Sequence, residues 1–301
     1  MFFSNHKYIS ALLLFINVLF VSHPDSFSQS HKNESRQKKE SKIFIGEKGL
    51  YPVYNYSAKN YKAQPQNWAI VQDKRGVIYL GNNEGVLEYD GVSWRMIHVS
   101  NETNVRSLAI DDKGKIYVGA NGEFGYLKPD SSGNMRYVSL LSLLEKKDRD
   151  FSDIRCTQIS KHGIFFQSDN KIFRWDGKKI KVWNAEKSFH LLFKVYDHVF
   201  VREKEIGLME IVGDNIMPLK GGGEFSEESI YAMIPFINNA KGNISQDILL
   251  CTKKKGLYIM KSVPKGNRIS GEPSFIFEHF HTQIDSFLLD NISYHLLKTD
   301  A

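Results

Sequence analysis

The chain has 301 residues, of which 42% are hydrophobic and 25% charged, a balance that fits a globular protein with one large domain or two small ones. Its net charge of +6 arises from 40 Lys and Arg interspersed with 34 Asp and Glu, so the surface is mixed. No phosphate-tracking groove is indicated, and nucleic-acid binding by this chain is not expected.

At the N-terminus, Lys7 precedes an apolar run over 9–21 that is short for a membrane span. Ser26 and Ser28 flank Phe27, which predicts a signal peptide over 1–28 and a periplasmic or extracellular protein. A retained anchor helix is the other reading of that run. No Cys follows it, which disfavours a lipid anchor. Residues 29–42 are polar and charged without an apolar period, and read as a disordered linker.

From 43 to 301 the apolar pattern alternates in short runs bounded by Gly, Asn and Asp, which predicts strands. Within "GVIYLGNNEGVLEYDGVSW" and its flanks, strands are expected over 68–72, 77–80, 86–89 and 94–98, with turns at 73–76, 81–85 and 90–91. The stretch repeats: Gly76, Tyr79 and Gly81 match Gly114, Tyr117 and Gly119, each 38 positions on. Weaker copies follow at 163–183, 198–216 and 248–260. Four short antiparallel strands recurring at about 40 residues predict an all-β fold, a β-propeller of four-stranded antiparallel blades.

The blades fall at about 65–100, 104–139, 153–186, 189–219 and 228–280, with the start of another at 292–301. Five to six are thus expected, in a ring that these units leave open. A piece of a longer product is the preferred explanation. The alternative is a complete six-bladed ring closed by strands from 43–57. Two polar segments interrupt the repeat: 140–153, with an amphipathic helical look, and 235–246, read as a loop. The Gly-rich 221–224 lacks the Lys-Ser/Thr and strand-to-helix setting of a phosphate cradle, and reads as a flexible connection.

The segments "YKAQPQNWAIVQDKRGVIYLGNNEGVLEYDGVSWRMI", "VRSLAIDDKGKIYVGANGEFGYL" and "SFHLLFKVYDHVFVREKEIGLMEI" resemble the two-component regulator propeller family, large exported sensors of Bacteroidetes. Gln66-Asn67-Trp68 and Glu123-Phe124-Gly125-Tyr126 carry the more specific part of the likeness. The resemblance implies a periplasmic sensor propeller whose family continues into a three-tyrosine immunoglobulin-like domain, a membrane helix and a cytoplasmic output module. It also implies a membrane link only through that C-terminal part, and a possible dimer in the full-length protein.

Catalytic signatures are not found. Sialidase boxes, quinoprotein Trp motifs, a nucleophile elbow and metal-spaced His clusters are absent from the sequence, so no catalytic residue, metal or cofactor is expected. His162, His190 and His198 read as structural. Asp73, Asp111 and Asp112 precede tight turns and read as turn caps. Trp68, Trp94, Trp175 and Trp183 read as blade-to-blade packing, and Cys156 and Cys251 as buried core residues.

Geometry selects one face, where the turns joining second to third strands gather around a propeller's axis. There Asn82, Asn83, Glu84, Asn121, Glu123, Asp169 and Asn170, with Glu203 and Lys204, are the candidate ligand-binding residues. A polar small molecule or oligosaccharide would suit them. Three functions stay open: a sensor propeller, a free-standing interaction propeller, and an exported glycan-active enzyme, with the first favoured and no enzyme expected.

Overall fold

The computed structural model describes residues 53–238, 245–262 and 275–291. The expected signal peptide, the linker, most of 43–57 and the further unit at 292–301 lie outside the described residues.

Among the described residues, twenty strands form five four-stranded antiparallel sheets, each built from consecutive strands. Sheet one contains β1 (Asn67–Gln72), β2 (Ile78–Asn82), β3 (Gly85–Tyr89) and β4 (Trp94–Ile97). Sheet two contains β5 (Val105–Ile110), β6 (Ile116–Ala120), β7 (Glu123–Pro129) and β8 (Met135–Ser139). Sheet three is β9 (Cys156–Ser160), β10 (Gly163–Gln167), β11 (Lys171–Trp175) and β12 (Ile180–Asn184). Sheet four is β13 (Phe189–Val195), β14 (His198–Glu203), β15 (Gly207–Val212) and β16 (Asn215–Pro218). Sheet five is β17 (Ile230–Asn238), β18 (Ser245–Thr252), β19 (Leu257–Ser262) and β20 (Phe275–Phe280). Helix α1 (Ala58–Tyr61) precedes them, and α2 (Asp285–Asp290) follows. No helix among the described residues is long and apolar enough to cross a membrane.

The sheets stack as propeller blades. The first strands β1, β5, β9, β13 and β17 pack on one another in that order, which makes them the inner strands around a common axis. Alternating side chains give each sheet two apolar faces, and four cores result, one between each pair of successive sheets. Tyr79, Val86, Val105 and Val118 join sheets one and two; Tyr117, Phe124, Phe166 and Phe173 join two and three. Phe165, Ile172, Leu192 and Val201 join three and four; Phe193, Phe200, Ile248 and Met260 join four and five. Each of the three middle blades therefore supplies half of two cores, and each end blade half of one.

Turn chemistry sets the registers. Asp73 Oδ1 accepts the Arg75 and Val77 amides at 2.8 and 3.1 Å, and Asp111 Oδ1 accepts those of Lys113 and Lys115 at 3.0 and 2.8 Å. Gly76 and Gly114 supply the positive φ that closes each turn.

Four sequence expectations need correction. The 81–85 turn contracts to Asn83-Glu84, because Asn82 pairs with Gly85 across β2 and β3. The 140–153 insertion is two 3₁₀ turns, Leu141–Leu143 and Lys146–Asp148, which tuck Leu140, Leu144 and Phe151 into the core between sheets two and three. The expected loop at 235–246 is strand at both ends, since Pro235 pairs with Ile248 and Ile237 with Gln246; residues 239–244 lie outside the described set. The Gly-rich connection is a 3₁₀ helix, Gly222–Phe225, anchored by the fully buried Phe225.

Candidate functional site

The antiparallel registers bring the start of each inner strand beside the turn between the second and third strands of its blade, as Asn67 beside Asn82 and Ile230 beside Thr252. The candidate residues sit at this end, but most are committed to the scaffold. Asn82 is fully buried and donates from Nδ2 to the Gln64 and Gln66 carbonyls and to Asn67 Oδ1. Glu123 is 1% exposed; its Oε1 accepts from the Phe124 amide at 2.9 Å and the Ser139 hydroxyl at 2.8 Å. Burial pushes the Glu123 carboxyl above its ordinary value, against these hydrogen bonds. Neither residue lies on an open rim, and their polar atoms are spent within the blades.

Most of the other candidates tie a blade's turn to the chain that enters that blade or the next. Asn121 Nδ2 donates to Asp153 Oδ1 at 2.9 Å, and Asp169 Oδ1 accepts from the Ser152 hydroxyl at 2.7 Å. Asn170 Nδ2 donates to the Asp150 carbonyl at 3.3 Å. Glu203 accepts the Lys187 amide at 2.7 Å, and the exposed Lys204 amide donates to the Ser188 carbonyl. The half-buried Glu84 takes an amide bond to Asn82 Oδ1 and offers its carbonyl to His98 Nδ1. Asn83 differs: its Oδ1 accepts Trp68 Nε1–H at 2.7 Å and so fixes an indole ring.

That indole belongs to a set the sequence reading missed. Pairing of the inner strands is interrupted at one place in four of the five sheets, between Asn67 and Ala69, Val105 and Ser107, Phe189 and Leu192, and Ile230 and Ala232. The interrupted positions hold Trp68, Arg106, His190 with Leu191, and Tyr231, and exposed Arg155 directly precedes β9 in the remaining sheet. A bulge leaves its residue out of the ladder and re-aims the side chain, a feature concentrated at functional rims. One bulge in each of four blades, at the same end of the inner strand, places these residues at the mouth, the end of the blades where the second-to-third turns lie.

Contacts between blades join them. The Arg106 guanidinium carbon lies 3.5 Å from the centroid of the Trp68 ring, and its Nε is 3.7 Å from Asp153 Oδ2. His190 meets the Tyr231 ring edge-on at 5.1 Å between centroids. Burial, then the nearby positive charge of Arg202, with smaller contributions from Arg155 and Lys253, push the His190 imidazole down to about 4. It is neutral at physiological pH. Arg202 itself is buried and donates Nε to the Phe225 carbonyl at 3.0 Å, so it braces sheet four.

The mouth thus offers two aromatic rings, a neutral imidazole and the guanidinium groups of Arg106 and Arg155. Chemically this is a surface for stacking and for donating hydrogen bonds to oxygen-rich groups. Trp68, 42% exposed, departs from the expected packing role, whereas Trp175 keeps it by stacking on Tyr126 of the preceding blade at 5.5 Å. The detectable signal is the second residue of four of the five first strands, a large polar or aromatic side chain between two smaller or apolar ones; β9 departs from it with Thr157. Its spacing is 38 from Trp68 to Arg106 but irregular afterwards, which hid it.

A groove of about 450 Å³ on the opposite face is lined by Lys113, Lys115, Tyr126 and Met135. There the Lys115 ammonium lies 3.4 Å from the Tyr126 ring centroid.

No family model matches the chain, and no curated protein matches it. Among solved structures, an extracellular domain described as that of a one-component system of B. thetaiotaomicron is 15% identical, with a TM-score of 0.43 over 69% of this chain and 27% of that one. One described as belonging to a hybrid two-component system of the same organism is 11% identical, with a TM-score of 0.44 over 76% and 37%. This chain spans well under half of either. Virginiamycin B lyase from Staphylococcus aureus is 12% identical, with a TM-score of 0.46 over 70% and 69%. Likeness at this level says nothing of ligand or reaction.

Proposed function

We propose that the chain is the ligand-binding propeller of an extracytoplasmic sensor, and that ligand is held at the axial mouth. The observation that carries this reading is the repeated bulge, which turns Trp68, Arg106, His190 and Tyr231 out of their strands at one end of the axis. A bulge weakens the ladder in each of the four blades that carry it, and packing alone gives no reason to keep it at the same position. A ligand contacted by several blades does.

The chemistry of the mouth narrows the ligand. Rings of Trp and Tyr stack on the apolar faces of sugars, and guanidinium groups grip carboxylate or sulfate in bidentate fashion. An oligosaccharide bearing acidic groups fits both. The family that the sequence resembles supplies the sensing role: binding at the propeller is relayed to an output module across the membrane.

Calorimetric titration of the purified chain with neutral, uronate-bearing and sulfated oligosaccharides tests this. Saturable binding of an acidic member is expected, weakened at least tenfold by Trp68→Ala and by Arg155→Ala with the thermal melt unchanged. Chromatography of the bound sugar should recover it intact. Equal affinity in the wild type and both variants overturns the assignment of the mouth, and breakdown of the sugar overturns the reading as a binder.

A further inference from the structure

Away from the mouth, the end of β20 and the first turn of α2 bring together three metal-ligating side chains. His279 and His281 are two residues apart, a spacing that puts them on one side of an extended segment. Their ring centroids are 4.3 Å apart. One ring nitrogen from each and one carboxylate oxygen of Asp285 lie within 4.8 Å of one another.

The geometry is close to that of a coordination shell. His281 Nδ1 stands 3.1 Å from Asp285 Oδ2, and two ligands of a tetrahedral zinc ion, with bonds of about 2.0–2.1 Å, stand roughly 3.3 Å apart. Two of the three ligands are also oriented from behind. His279 Nε2 lies 3.0 Å from the Lys255 carbonyl, so that its N–H is donated there and the lone pair is left on Nδ1. Asp285 Oδ1 accepts from the Thr282 amide at 2.8 Å and the Thr282 hydroxyl at 2.7 Å, leaving Oδ2 for the cluster. Imidazoles fixed through their second nitrogen and carboxylates fixed through their second oxygen are the outer shell that metal sites require.

We propose that His279, His281 and Asp285 bind a divalent transition-metal ion of the zinc class, which clips α2 to the end of β20. Two imidazoles and one carboxylate suit zinc, nickel or copper, and a water completes four-coordination. The clip has a structural object. Leu288 of α2, 7% exposed, covers Ala232, Cys251 and Leu257 on the face of sheet five that sheet four does not cover. A six-residue helix has too few turns to hold itself there by propensity, so a bound ion at its start would fix an otherwise marginal cover.

Titration of the full chain with zinc chloride, read by calorimetry and by metal analysis after dialysis, tests the site. The wild type should bind saturably and melt at a higher temperature with zinc, while magnesium chloride should neither bind nor compete. The exposed changes His279→Gln and His281→Gln, combined, should leave the metal-free melt unchanged, weaken binding at least tenfold and abolish the zinc-dependent rise. If the wild type fails to saturate, or the double variant binds with unchanged affinity and stoichiometry, the three residues are only a local ion pair with a neighbouring histidine and the proposal is overturned.

Discussion

The guanidinium carbon of Arg106 lies 3.5 Å over the ring of Trp68, and the two residues leave equivalent bulges in neighbouring inner strands. Asn83 holds the indole by its N–H and Asp153 faces the guanidinium, so the pair is oriented without ligand. Such preorganisation lowers the ordering cost of binding. Arg106→Ala should uncover the ring, which acrylamide quenching of Trp fluorescence would register as greater accessibility. Stability by urea titration should fall by only about 0.5–1 kcal/mol, the scale of a cation–π pair at an exposed site. Unchanged quenching would show that the stack does not persist in solution.

The blades were legible because their cause is local. Asp-x-x-Gly turns such as Asp73 to Gly76 and Asp111 to Gly114 close through side chain to amide bonds within five residues, and strand alternation needs no distant partner. The site was less legible. Asn82 and Glu123 occupy turn-end positions that look like a polar rim, yet both are buried, with partners 15 to 18 residues away in the chain. Bulges were hidden for a related reason: a single unpaired residue leaves the alternation of apolar positions almost intact, and only the register with the second strand reveals it.

Gly119 tests how closely the blades approach. A Cβ there would stand 2.4 Å from both Ile154 Cγ2 and Ser107 Oγ, and Ser107 cannot yield because its hydroxyl is held by the Ile154 carbonyl and the Thr157 hydroxyl. Gly119→Ala should cost about 1–3 kcal/mol by overpacking. Gly114 has φ +83° with nothing near its Cβ position, so Gly114→Ala costs only the left-handed backbone penalty of about 1–2 kcal/mol. Urea midpoints should therefore place the Gly119 variant at or below the Gly114 variant. A wild-type midpoint for Gly119→Ala would mean that the blades are more loosely joined than the structure shows.

Asp111 couples a turn to an inter-blade core. Besides its two amide partners, its Oδ2 accepts the Tyr117 hydroxyl at 3.0 Å, and Tyr117 is 5% exposed in the core between sheets two and three. Burial, followed by this bond, holds the Tyr117 phenol above its ordinary value. Asp111→Ala leaves a buried hydroxyl without its acceptor and two turn amides uncapped. A loss of about 1–3 kcal/mol is expected in urea titrations. Tyr117→Phe together with Asp111→Ala should cost less than the two single changes added, since the same bond is removed twice.

Two buried groups give opposite pH dependences. His190 is ordinarily near 6.5 and is pushed down to about 4 in the fold, chiefly by burial. Between those values the unfolded chain binds more protons, so stability falls as the pH drops from 6.5 toward 4. The Glu123 carboxyl is raised above its ordinary 4.5, again by burial first, so the folded chain binds more protons above that pH and stability falls as the pH rises through the window. The two slopes partly cancel in the wild type. Removing either group should expose the other: His190→Gln should flatten the acid-side loss, and Glu123→Gln, which keeps the carbonyl acceptor for Phe124 and Ser139, should steepen the gain from pH 4.5 to 7. Unfolding free energies of the wild type and both variants across that range measure it. Parallel curves for all three would mean that neither group titrates differently in the folded and unfolded chain.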